Sequence, residues 1–246
     1  VAARLLRLYP STDTKLVSLN EILLAPRWMH LLIGSQTEST LTLHDGTTIH
    51  GDEIGVVFNR LQYVDMPHFA ASAAEDREYA IMEMFALLLS WLKALRCPIV
   101  SRVSPKSLGG PTHSVLAWQY LAAKAGLPTA RLRLTSSLRR YSVPGLVVHP
   151  VSHEQTGNIP AWLVEPMGQQ TLSVMVVGER VIGAVPAELV AACIKLASLS
   201  GIDVLLIHFA TTLDGGAWRF NGVDTHPAAS DESAVEAIVN LLEARS

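Results

Sequence analysis

The chain has 246 residues, 49% hydrophobic and only 17% charged, enough for one large domain or two small ones with an ample core. A formal net charge of −3 argues against the basic face on which nucleic-acid binding rests. No run approaches the roughly 18 uninterrupted apolar residues of a spanning helix, so no membrane segment is predicted.

The opening, "VAARLLRLYPSTDTK", lacks both an initiator Met and the long apolar core of a signal peptide. It reads as processed or trimmed, and a cytoplasmic address is the expectation. Residues 38–58 alternate apolar and polar, turn at Asp45-Gly46 and end in the run Ile54 to Phe58, which predicts short strands. A helix is predicted over residues 73–95, with Ile81, Met82, Phe85, Leu88, Leu89 and Leu92 at helical spacing. Its apolar character points to a buried helix or an oligomer interface. Pro98 stops it, "PIVSRV" is a short buried strand, and "SPKSLGGP" is a loop. The next helix, "THSVLAWQYLAAKAG", takes Thr112 as N-cap and Gly126 as its stop. "LPTARLRLTSS" is a strand carrying Arg131 and Arg133. Residues 136–160 are rich in Ser, Pro, Gly and His and read as a loop region or a reduced subdomain. A hairpin turning at Gly178-Glu179 follows, then a helix opened by Pro186. A strand pair turns around Asp214-Gly215-Gly216, and an amphipathic helix over residues 230–244 presents Val235, Ile238, Val239 and Leu242 on one face. The order is α/β in the first part and α+β in the second. Cys97 and Cys193 sit in apolar helical patterns and read as reduced thiols.

Three pieces in order resemble the ATP-grasp ligases, in particular the glutathione-synthetase-like branch that includes ligases modifying ribosomal peptides. They are "DEIGVVFNRL" with the following helix and "CPIVSRV", then "SVLAWQYLAAKAGLPTARLRLTSS", then the C-terminal hairpin–helix–hairpin–helix around "GVDTHP". The resemblance covers about residues 45–244, with a gap in the middle. It implies a pre-ATP-grasp α/β domain over residues 1–104 and an ATP-grasp-like lobe over 105–246, with 135–160 as a reduced lid. It also implies ATP and Mg²⁺ as cofactors, the metal held by an acidic residue on one strand and a Glu-x-Asn on the next. Mapped here, His208 takes the first position, Gly222 the Glu and Asp224 the Asn, so His208 and Asp224 are the metal candidates. Imidazole is a poor Mg²⁺ ligand and glycine offers none. The family's lid lysines are missing too, since no Lys occurs between Lys124 and Lys195. Arg131, Arg133, Arg139 and Arg140 are the substitute phosphate partners. In "WLVEPMG", Glu165 and Met167 take the hinge position beside the nucleotide base.

The resulting expectation is a degenerate ATP-grasp-like protein without ordinary Mg·ATP ligase activity. It would bind a peptide, a partner ligase or a nucleotide, as a homo-oligomer or within a complex. The alternatives are an active ATP-dependent carboxylate–amine ligase with rearranged ligands (Asp224, His208, Asp214 and the arginines), favoured if Asp203 or Asp214 lies beside Asp224, and a metal-dependent enzyme using His149, His153 or His208. Two weaker patterns remain. His149 and His153, with Glu154, have helix-like metal spacing but no third ligand in sequence. "SLGGPTHS" could cradle a phosphate at a helix start but lacks the P-loop spacing.

Overall fold

In the computed structural model, residues 14–66, 69–135, 146–150, 161–229 and 231–246 are described. The chain divides into two compact units: Val1–Thr112 with Gly201–Val204 and Thr225–Ser246, and His113–Ser200 with Leu205–Asp224.

The first unit opens with a short helix, α1 (Leu19–Leu23), held by a reciprocal capping box between Ser18 and Glu21. Strands β1 (Arg27–Ile33), β2 (Gln36–Thr42) and β3 (Thr48–His50) form an antiparallel sheet in that order. β1 is a correction to the sequence reading, which begins its strands at residue 38. "RWMHLLI" does not alternate apolar with polar, and Leu32 and Ile33 are 57% and 62% exposed, so the usual half-buried signature is absent. β4 (Val57–Phe58) and β5 (Ile99–Val100) pair in parallel across α2 (Ala74–Ala94), a small crossover of the predicted α/β kind. The core gathers Leu41, Leu43, Leu88, Trp91, Leu92, Ile99 and Leu108, with Trp28 edge-on to Trp91 at 5.6 Å. Only Leu88, Trp91 and Leu92 of α2 are fully buried, while Tyr79 and Met82 face outward. The last helix, α5 (Glu232–Glu243), starts at its Asp231 cap and buries Ala234, Val235, Ala237, Ile238 and Val239. Arg245 beyond it pairs with Asp203 at 2.6 Å.

In the second unit, α3 (Val115–Ala125) ends at Gly126, whose φ of +97° supplies the left-handed cap expected of it. Its N-cap is Ser114 rather than Thr112: the Ser114 hydroxyl accepts from the Ala117 N–H at 3.3 Å. Both residues are good caps by type, and only the chain direction decides between them. β6 (Leu132–Thr135), β7 (Val147–Pro150) and β8 (Ala161–Val164) make an antiparallel sheet ordered β6-β8-β7. β9 (Met167–Val177), β10 (Arg180–Ile182), β11 (Val204–Thr212) and β12 (Trp218–Asp224) make a second, ordered β10-β9-β11-β12. The turns fall at Gly178-Glu179 and Asp214-Gly215-Gly216, as predicted. α4 (Ala187–Ser200) packs on α3 and on β9 and β10.

Both cysteines are free thiols. Burial pushes the Cys193 thiol up to about 11. The raised value favours the neutral thiol, so this stabilisation is complete below pH ~8.5–9 and is lost as pH rises toward 11. The stability difference between the protein and Cys193→Ala should therefore shrink by about 2–3 kcal/mol between pH 8 and pH 11 in urea melts; a pH-independent difference would contradict it.

Candidate functional site

β11 and β12 carry the residues that the sequence aligns with a metal site. Their register sets Leu206 opposite Asp224 and His208 opposite Gly222, then shifts so that Phe209 faces Phe220. Asn221 is thus the extra residue of a β-bulge. Residues directly opposite share a face and side chains alternate along a strand, so His208, Gly222 and Asp224 lie on one face. Ile207, Phe209 and Phe220 are fully buried. The structure therefore brings the three aligned positions together. His208 and Asp224 are diagonal neighbours, whose side chains start about 7 Å apart.

The chemistry of that face is not a Mg²⁺ donor set. His208 Nδ1 is hydrogen-bonded to the Ser173 hydroxyl of β9 at 2.9 Å. Gly222 has a φ of +143°, a conformation that glycine adopts and side-chain-bearing residues avoid. A Cβ there would meet nothing within 4 Å. The glycine is demanded by the backbone of the bulge and not by crowding. Asp224 is the one carboxylate of the three, where Mg²⁺ calls for near-octahedral oxygen ligation. Among the described residues no group of three or more His, Cys, Asp or Glu side chains could hold a metal ion.

The acidic residues named as alternative ligands are engaged elsewhere. Asp214 locks its own turn: it accepts from the Thr212 hydroxyl and from the Gly216 N–H at 3.1 Å. The Thr212 bond, followed by the Gly216 bond, holds its carboxyl below the usual range. Thr212 ends β11, four strand positions from His208, or about 13 Å at ~3.3 Å per residue, and Asp224 is farther still along the ladder. Asp214 thus does not lie beside Asp224, the placement that would have favoured the rearranged-ligand alternative. Asp203 accepts from Arg245 at 2.6 Å and from the Ser101 N–H at 3.4 Å.

The nucleotide candidates are only partly placed. Arg131 and Glu165 are neighbours across the β6–β8 pair: the Glu165 N–H donates to the Arg131 carbonyl at 3.0 Å, and the Arg131 N–H donates to Glu165 Oε2 at 3.1 Å. The Arg131 guanidinium lies 3.8 Å from Glu165 Oε1 with its side chain 74% exposed, a surface pair worth little on its own. Arg133 alternates onto the same side as Arg131 and is exposed. Met167 opens β9 and is half-buried. Arg139, Arg140, His153, Glu154 and most of the 135–160 lid region fall outside the described residues, as does the side chain of His149; within that region Val147–Pro150 is the strand β7, paired with β8.

Three contributors escaped sequence reasoning. Arg60, in the quoted "FNRL", donates to the His226 carbonyl at 2.9 Å and the Pro227 carbonyl at 3.1 Å. Gly109 lets the His226 ring approach: a Cβ there would stand 2.4 Å from Nε2. Ser173 partners His208. An arginine two residues after a half-buried strand end was the only available signal, and it does not name its acceptors. The "SLGGPTHS" loop is held by local bonds, the Gly109 N–H donating to Ser107 Oγ at 3.1 Å and Ser104 Oγ, just before the loop, donating to the Gly110 carbonyl at 3.0 Å.

No protein-family model matches the chain, and no curated protein matches it in sequence. Solved structures do match its fold. A Chryseobacterium gregarium RiPP-associated ATP-grasp ligase, in complex with ADP and a leader and core peptide, superposes with a TM-score of 0.71 at 12% identity, over 94% of this chain and 88% of that one. The macrocyclase MdnC from Microcystis aeruginosa MRC, bound with precursor peptide MdnA, gives 0.67 at 13% identity, over 89% and 86%. The ATP-grasp ligase PsnB, complexed with a minimal precursor, Mg and ADP, gives 0.62 at 16% identity, over 88% and 86%. The chain has the ATP-grasp ligase fold, near full length on both sides of each comparison.

Proposed function

Starting from the fold of the peptide-modifying ATP-grasp ligases, we propose that this chain is a degenerate member of that architecture. It has lost ordinary Mg·ATP ligase chemistry and works by binding a peptide or protein partner. The observation that carries this reading is the β11–β12 face. Its three metal positions hold an imidazole already bonded to Ser173, a glycine fixed by its φ of +143°, and a single carboxylate. That set does not fit Mg²⁺, so no phosphoryl-transfer step follows from these residues. The peptide partner is supported by the neighbours, solved with a leader and core peptide, precursor MdnA or a minimal precursor. A soluble cytoplasmic setting and a homo-oligomer or complex accompany the proposal; no described helix is long and apolar enough to cross a membrane.

Calorimetric titration of ATP with and without Mg²⁺ tests it. The expected result is no Mg²⁺-dependent binding. Binding in the micromolar range that requires Mg²⁺ would overturn the proposal and restore the carboxylate–amine ligase reading, with ligands drawn from a different set. Binding indifferent to Mg²⁺ would keep the loss of ligase chemistry and make the partner a nucleotide.

A further inference from the structure

The sheet of the first unit is uneven. β2 runs from Gln36 to Thr42, but β3 pairs only with Thr40, Leu41 and Thr42. After it the Gly51 N–H donates to the Ser39 carbonyl at 2.9 Å and the chain leaves in a turn closed by Glu53 N–H to the His50 carbonyl at 3.1 Å. The chain passes close to its neighbours at Gly51, where a Cβ would press Leu95 Cδ2 and Ser39 Cβ at 3.3 Å. On the other side β2 is fully paired with β1, from Ile33↔Gln36 to Arg27↔Thr42.

Antiparallel ladders alternate which neighbour each residue bonds. Ser39 bonds toward β3 through Gly51, and Leu43 does so through Thr47. Two positions before Ser39, the Thr37 backbone N–H and C=O therefore point the same way, into the space β3 would have filled had it continued. That space is a cleft of about 240 Å³ lined by Thr37, Glu38, Ser39, His50, Asp52 and Arg96 among others. The Thr37 hydroxyl donates to the carbonyl of Ala94, another lining residue, at 3.4 Å. Among the described residues the side chains of Glu38, His50, Asp52 and Arg96 make no hydrogen bond or ion pair. The carboxylates outnumber the lone Arg, and the cleft also receives the C-terminal, electronegative end of α2.

We propose that this notch is a docking site for an extended peptide segment, which continues the line of β3 by pairing with Thr37 and places a basic side chain between Glu38 and Asp52. Strand addition supplies main-chain bonds to the Thr37 N–H and C=O, and the two carboxylates select the cation. The inference deepens the peptide-partner reading and takes only the ligand class from it.

The test uses the full ¹⁵N-labelled chain and two end-blocked pentapeptides, Thr-Val-Lys-Val-Thr and its Glu-centred counterpart. The Lys peptide is expected to shift the amides of Thr37, Glu38, Gly51 and Asp52, and N-methylation of its alternate amides is expected to abolish the effect. A Glu38→Gln/Asp52→Asn double variant should weaken binding by about fivefold, the size of two exposed ion pairs. Three results overturn the proposal: no shift at Thr37 at millimolar Lys peptide, equal binding of the Glu peptide, or a Thr37 shift that follows protein concentration with no peptide present, which would assign the notch to a second copy. An ATP titration on the same sample reads the loss of ligase chemistry separately. Mg²⁺-dependent nucleotide binding would sink that reading while leaving the Thr37 result standing.

Discussion

Gly222→Glu is expected to lower stability by about 1–3 kcal/mol and to restore no Mg²⁺-dependent nucleotide binding, although it returns a carboxylate to the position the ATP-grasp pattern asks for. The backbone decides both outcomes. At a φ of +143° a residue with a Cβ is strained wherever its side chain goes, and the open space around the site means that no clash adds to that strain. Gly222→Ala should therefore cost nearly as much as Gly222→Glu. If the bulge relaxed to accept the new residue, the register at His208 and Phe209 would have to change, and both Phe209 and Phe220 are completely buried on the opposing side of that pair. The restored carboxylate would also face His208, which adds a nitrogen donor and not the hard oxygen that Mg²⁺ prefers. Urea melts of the two variants, with ATP calorimetry on Gly222→Glu, check this. A Gly222→Glu protein as stable as the parent and binding ATP only with Mg²⁺ would show that the site is one substitution from activity. The proposal of lost chemistry would then fail.

The same strand pair shows what a sequence can and cannot give up. The two hairpins of the second unit were legible because their turns are written locally, in Gly178-Glu179 and Asp214-Gly215-Gly216, with strand-length segments on either side. The last helix was legible because Val235, Ile238 and Val239 recur at helical spacing, and the structure buries all three. The shared face of His208, Gly222 and Asp224 followed from order and resemblance. The reason for Gly222 did not, because a bulge at Asn221 depends on which partner β12 meets, and that is set by Phe209 and Phe220 filling the core. β1 was missed for the opposite reason: its apolar run has no alternation to read. Arg60 was beyond reach altogether, since its acceptors are carbonyls that any sequence would provide and they lie 166 and 167 positions away. The notch at Thr37 is likewise invisible in sequence, because it is made by where β3 stops.

Arg60→Met should lower stability by about 1.5–3 kcal/mol, and Arg60→Lys should recover only part of it. One guanidinium nitrogen donates to both the His226 and the Pro227 carbonyl, and the group also lies 5.7 Å from the centre of the Phe58 ring. Met keeps the apolar stem and removes the guanidinium, so the loss reports the two charge-assisted bonds together with the cation's contact with the Phe58 ring, and not the packing of the stem. Lys keeps the charge, but a single ammonium on a flexible stem does not reproduce the planar, delocalised group. The consequence is local as well as global. β12 carries Gly222 and Asp224 and runs directly into Thr225, His226 and Pro227, the segment that Arg60 fastens in the first unit. Thr225 Oγ1 and His226 Nδ1 are hydrogen-bonded at 3.0 Å there, and the ring rests on Gly109. In Arg60→Met the amides of His226, Ala228 and Ala229 should exchange with solvent faster, while the Gly126 amide at the cap of α3, in the second unit, should not change. Uniform acceleration at both places would mean that Arg60 acts on the stability of the whole chain. Unchanged exchange at residues 226–229 with unchanged stability would show that the two bonds fasten nothing. The expected pattern gives Arg60 a structural duty in this chain: it fastens the segment that follows the end of β12.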